Sequence, residues 1–95
     1  MAAYFIANVN VKDPVAYQEY VKAVPATITQ YGGKFLARGG RHETLEGEWK
    51  PARLIILEFP SLEQLKRWYE SEEYRPLKAI RLKHATADLV VVEGV

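Results

Sequence analysis

The first apolar positions of the chain alternate with polar ones. From Tyr4 to Val11 the run Tyr-Phe-Ile-Ala-Asn-Val-Asn-Val sets Phe5, Ala7, Val9 and Val11 on one side and Tyr4, Ile6, Asn8 and Asn10 on the other, the period of a β-strand. Asp13-Pro14 follows, an oxygen able to cap a helix and a proline suited to its first turn. Tyr17, Tyr20, Val21, Val24, Ile28 and Tyr31 then recur at helical spacing and gather on one stripe. Pro25 removes a backbone donor within that helix and predicts a kink or a restart, while Gly32-Gly33 predicts a left-handed C-cap.

Lys34 to Arg38 reads as a second strand, and Gly39-Gly40 after it permits a bulge or the close approach of another group. The polar stretch from Arg41 to Pro51 is long for a hairpin loop and could partly extend the flanking strands. Arg53 to Phe59 is aliphatic on both faces until Glu58 and stops at Pro60, as expected of a central strand buried on both sides. Ser61-Leu62-Glu63-Gln64 is a capping box that opens a helix with Leu62, Leu65, Trp68 and Tyr69 inward. Ser71 offers a second cap to a segment carrying Tyr74, Leu77, Ile80, Arg81 and His84, with Pro76 a few residues inside it. Ala87 to Glu93 is a fourth strand.

The order β-α-β-β-α-β, without linker or repeat, predicts one α+β domain over residues 1–95. Its arrangement is the ferredoxin-like split βαβ, a four-stranded antiparallel sheet with both helices on one face. Parity then gives the open face Ile6, Leu36, Leu54, Ile56, Val90 and Val92, interspersed with Tyr4, Asn8, Arg38 and Glu58. An apolar patch of that extent predicts a homodimer packed sheet to sheet.

Composition narrows the chemistry. Thirteen Lys and Arg against twelve Asp and Glu give a formal charge of +1, too little for an electrostatic footprint on nucleic acid or an anionic membrane. There is no cysteine, so no disulfide, thiolate metal site or cysteine nucleophile is available. The two histidines, His42 and His84, lack metal-ligand spacing, and no metal or cofactor is expected. The N-terminal run lacks the basic and apolar regions of a signal peptide, and no stretch reaches the roughly 20 apolar residues that cross a bilayer. A cytoplasmic protein is the expectation.

Arg38 beside Gly39-Gly40 is the leading candidate for chemistry. A guanidinium on an apolar strand face can hold a carboxylate or carbonyl, and the glycines leave it room. Alternatively, it pairs with Glu58 on the same face. Glu58 or His84 could move a proton, with Asp88 orienting the imidazole of His84. Equally, His84 could simply favour a helix C-terminus. Tyr20 and Trp68, with Asn8, could line a pocket for a flat organic ligand or serve as core. Arg75, Lys78, Arg81 and Lys83, offset by Glu70, Glu72 and Glu73, read as a solvated face. Two functions stay open. One is an enzyme without a bound cofactor, acting by proton transfer or monooxygenation on a small carbonyl or aromatic metabolite; the other is a non-catalytic module binding a small anionic or aromatic molecule.

The segments Tyr31-Gly32-Gly33-Lys34-Phe35-Leu36-Ala37-Arg38-Gly39-Gly40, Leu45-Glu46-Gly47-Glu48-Trp49, Glu58-Phe59-Pro60-Ser61, Trp68 to Tyr74 and Ala87 to Gly94 together resemble the bacterial family known as domain of unknown function 1330. The resemblance runs nearly end to end and implies the dimeric α+β barrel superfamily, in which two ferredoxin-like sheets pack together. That superfamily includes cofactor-independent monooxygenases, haem-degrading monooxygenases and lactone isomerases, so the fold does not choose an activity. The haem-degrading members carry an asparagine and a tryptophan where this chain has Asn8 and Trp68. They also carry a histidine where it has Lys78, so the resemblance does not imply haem.

Overall fold

The computed structural model describes residues 1–95. Strand β1 (Ala3–Val11) leads through Asp13 into helix α1 (Pro14–Gln30), followed by β2 (Lys34–Arg38), β3 (Leu54–Phe59), α2 (Leu62–Tyr69), α3 (Arg75–His84) and β4 (Ala85–Glu93). The sheet order is β2-β3-β1-β4, with every neighbouring pair antiparallel. This is the ferredoxin-like α+β arrangement, two interleaved βαβ units with the helices over one face.

Local chemistry sets the boundaries. Asp13 Oδ1 accepts from the Ala16 amide and Pro14 occupies the first turn of α1. Helix α1 ends where Gly32, at φ +81°, turns the chain so that the Gly32 and Gly33 amides bond the carbonyls of Thr29 and Ile28. Ser61 Oγ caps α2 through the Gln64 amide. Pro76 lies in the first turn of α3 rather than within it, where it costs no helical hydrogen bond. Ser71 Oγ accepts from the Tyr74 amide in the turn before that helix.

Helix α1 runs unbroken through Pro25 with no restart, and the stretch from Arg41 to Pro51 adds nothing to either flanking strand. The bulge, moreover, falls at Leu36, between the pairs Phe35–Leu57 and Ala37–Ile56, ahead of the glycines.

The core lies between sheet and helices. Phe5, Ala7, Val9, Leu57 and Phe59 meet Tyr17, Val24, Ile28, Leu65, Trp68, Tyr74 and Leu77. Trp68 is its centre at 1% exposure, edge-on to Phe5 at 5.6 Å and 4.3 Å from the ring of Tyr74. Its indole N–H donates to Thr27 Oγ1 at 3.0 Å, and that hydroxyl donates to the Val24 carbonyl. Both polar groups that burial would otherwise strand are therefore satisfied. On the opposite face Leu36, Val90 and Val92 remain about half exposed, at 50%, 59% and 49%. No helix is long and apolar enough to cross a membrane.

Candidate functional site

The bulge at Leu36 decides where the candidate residues go. An extra residue in one strand reverses the alternation of those that follow. Lys34 stands opposite Glu58 on the open face, whereas Arg38 stands opposite Ile55, which packs on the core. Arg38 is thus on the helix side of the sheet, not on the open face where unbroken parity placed it. Its guanidinium lies 4.6 Å from the Phe35 ring centroid and donates to the Val21 carbonyl of α1.

Beneath Arg38 lies a cavity of about 40 Å³ between the helices and the sheet. Phe5, Val9, Tyr17, Tyr20, Val24, Phe35, Leu57 and Trp68 are among its walls, and the only charged side chains lining it are Arg38, Arg53 and Arg81. Their exposure falls from mouth to floor: Arg38 is exposed, Arg53 half-buried and Arg81 buried at 5%. Arg53 continues the alternation of Ile55 and Leu57 onto the helix side, and its Nε is buried without a hydrogen-bond partner. Gly39 lets it lie there: a Cβ at this position would come within 2.5 Å of Arg53 Nε, and the backbone holds φ +67°.

Arg81 has no acidic partner either. Its Nε donates to the Tyr74 hydroxyl at 3.3 Å and an Nη to the Tyr69 hydroxyl at 3.4 Å, while the Tyr74 and Tyr20 hydroxyls share a 2.7 Å hydrogen bond. Burial pushes the phenol of Tyr20 far up, reinforced by Tyr74; the same cause raises that of Tyr17, against the opposing pull of Arg81, Arg53 and Arg38. At neutral pH these tyrosines are neutral donors in a cationic cavity. An unpaired buried cation is costly, and an anion entering the cavity would supply the missing charge.

The structure brings Arg38, Tyr20 and Trp68 to this cavity and separates the other sequence candidates from it. Glu58 points to the open face, where it pairs with Lys34 at 3.3 Å and raises the phenol of Tyr4 by hydrogen bonding. No Arg38–Glu58 pair exists because the two lie on opposite sides of the sheet. Asn8 also faces away, its Oδ1 accepting from the amides of Ala52 and Arg53 at 2.8 and 3.3 Å, so it pins the start of β3. Asp88 is exposed beside Asn8, with which it pairs across the strands. His84 ends α3, and its backbone carbonyl accepts from Lys12 and Asp13. No hydrogen bond or ion pair joins its ring to Asp88.

Three residues of the cavity were not singled out as ligands by the sequence: Arg53, Arg81 and Tyr17. Two carried a signal. Arg53 shares parity with Ile55 and Leu57, and Arg81 follows Leu77 and Tyr74 at helical spacing, so that it is core rather than part of a solvated basic face. Haem does not fit the site: Asn8 and Trp68 lie on opposite faces of the sheet, no histidine lines the cavity, and its volume is far below that of a porphyrin.

The fold has many relatives. A protein of unknown function from Rhodopseudomonas palustris superposes with a TM-score of 0.78 at 18% identity, covering 99% of this chain and 82% of that one. A dimeric ferredoxin-like protein of unknown function from Jannaschia gives 0.72 at 9%, covering 99% and 100%. SnoaB, a cofactor-independent oxygenase from Streptomyces nogalater, gives 0.67 at 12%, covering 99% and 93%. At such identities the likeness establishes the ferredoxin-like fold and no activity. No curated protein matches the chain in sequence. Residues 2–95 match the family described as domain of unknown function DUF1330, and the chain belongs to that family.

Proposed function

We propose that the chain is a homodimeric binding module for a compact organic anion, held in the cavity between the helices and the sheet. The observation that carries this reading is the set of three arginines, Arg38, Arg53 and Arg81, around one apolar space without a single carboxylate. Guanidinium groups present planar, fixed donors that suit a carboxylate, and the aromatic walls take an apolar body. The volume favours a short ligand. A ring would have to displace core side chains, since pockets for drug-sized molecules run to hundreds of Å³.

A second copy covers the open face in this proposal. Ile6, Leu36, Leu54, Ile56, Val90 and Val92 are too much apolar surface to leave in water on so small a chain, and the Jannaschia protein of the same fold is described as dimeric.

Catalysis is the second reading, and the same cations support it. They would stabilise the enolate of a bound carbonyl metabolite over its neutral form, which suits proton transfer or monooxygenation without a cofactor, and SnoaB, of the same fold, is a cofactor-independent oxygenase. Against it, Glu58, His84 and Asp88 lie away from the cavity, so it has no poised carboxylate or imidazole base. Solvent deuterium exchange into a bound keto acid, measured alongside oxygen uptake, separates the two: a binding module gives neither.

The reading is tested by thermal stabilisation across short carboxylates and keto acids. A ligand at a hundredfold excess over its Kd adds about 2.7 kcal/mol, which for a chain of this size raises Tm by roughly 10 °C or more. The shift should collapse in Arg38→Ala and in Arg53→Ala; a shift that survives both substitutions removes the arginines as the anchor.

A further inference from the structure

We propose, resting on the reading of the cavity as an anion site, that its ligand is a short 2-oxo carboxylate and that the Tyr17 hydroxyl reads the oxygen beside the carboxylate. Tyr17 is 5% exposed, lines the cavity, and stacks on Tyr20 with ring centroids 4.9 Å apart and planes at 26°. The stack fixes the direction of its hydroxyl. The neighbouring hydroxyls are occupied: Tyr20 and Tyr74 bond each other, and Tyr74 and Tyr69 receive the N–H groups of Arg81. That of Tyr17 bonds no other group of the chain.

A free donor on a buried ring that lines the cavity has a consequence for selectivity. A carboxylate draws on the guanidinium N–H groups of the three arginines that line the cavity together with Tyr17. A ligand with a second acceptor oxygen on the adjacent carbon satisfies the phenol as well. One without that oxygen shuts water from the phenol and leaves its donor unmatched, the situation in which sites built for a polar group reject the analogue lacking it. The cavity of about 40 Å³ confines the remainder of the ligand to a short chain.

The probes are pyruvate and propionate, which differ in the 2-oxo oxygen, titrated calorimetrically into the full chain and into Tyr17→Phe. Pyruvate should bind the unaltered protein roughly threefold to tenfold more tightly, and that preference should vanish in Tyr17→Phe while propionate binding holds. An unchanged midpoint in urea denaturation shows that the variant keeps its fold, and the comparison in unaltered protein needs no variant. Equal binding of the two probes, or a preference that persists in Tyr17→Phe, overturns the role of Tyr17 and leaves the anion site standing. Failure of both probes to bind overturns the anion site and this inference together.

Discussion

The guanidinium of Arg38 donates to the carbonyl of Val21, and that carbonyl is the one whose helical donor Pro25 removes. An α-helix bonds each N–H to the carbonyl four residues earlier, so the proline at position 25 leaves Val21 open on the face toward β2. The bulge at Leu36 turns Arg38 to that side. A helix defect, a strand defect and the mouth of the cavity thus meet at one hydrogen bond.

That bond predicts a coupled pair. Arg38→Ala should destabilise the ligand-free protein by about 1 kcal/mol. Pro25→Ala restores an N–H to Val21, so in its background Arg38→Ala should cost clearly less. A double-mutant cycle by urea denaturation measures the difference; strict additivity would mean that the two residues do not share the carbonyl.

Arg81 should show a trade between stability and binding. Its buried cation faces hydroxyls only, and a charge taken out of water without an ionic partner costs on the order of several kcal/mol. Arg81→Met should therefore be at least as stable as the parent without ligand and gain little from added carboxylate. A large loss of stability in urea denaturation would show that its bonds to Tyr69 and Tyr74 outweigh the cost of burying the charge.

Alkaline titration reads the tyrosines. Burial raises the folded-state pKa of Tyr20 and Tyr17 above the ordinary 10.0, so folding favours their protonated form. Their contribution to stability is complete below pH 10 and is lost as pH rises above it, because the unfolded chain then releases protons that the folded chain keeps. Phenolate absorbance should show Tyr20 ionising only with unfolding, and Tyr17 ionising later than an ordinary phenol. A smooth titration of all six tyrosines near pH 10 in folded protein would contradict the buried stack.

The open face makes its own prediction. Val90→Glu places a charge at a position that is 59% exposed in the isolated chain, where it costs the monomer little, yet at a sheet-to-sheet interface it would be buried. Light scattering should give twice the 10.8 kDa chain mass for the parent and a mass near one chain for the variant. A monomeric parent at micromolar concentration would contradict the dimer.

The architecture was legible because period and caps agree along the chain. The alternation in β1, the Asp13 and Ser61 caps and the Gly32 turn each mark a boundary that the fold keeps. The site was less so, for a local reason. Gly39-Gly40 signals irregularity, but the extra residue is Leu36, an ordinary strand former without any mark of a bulge, and one residue is enough to move Arg38 across the sheet. Arg81 was hidden differently: among Arg75, Lys78 and Lys83 it looks like one more solvated charge, and only its spacing from Tyr74 and Leu77 separates it from them.

In the proposed site one anion answers three guanidinium groups. Proton–nitrogen correlation spectra of the six arginine Nε–H groups, recorded during a pyruvate titration, observe this directly. The Arg38, Arg53 and Arg81 signals should move together along one saturation curve while those of Arg41, Arg67 and Arg75 stay in place; uniform small shifts of all six, or movement of the exposed three alone, would contradict it.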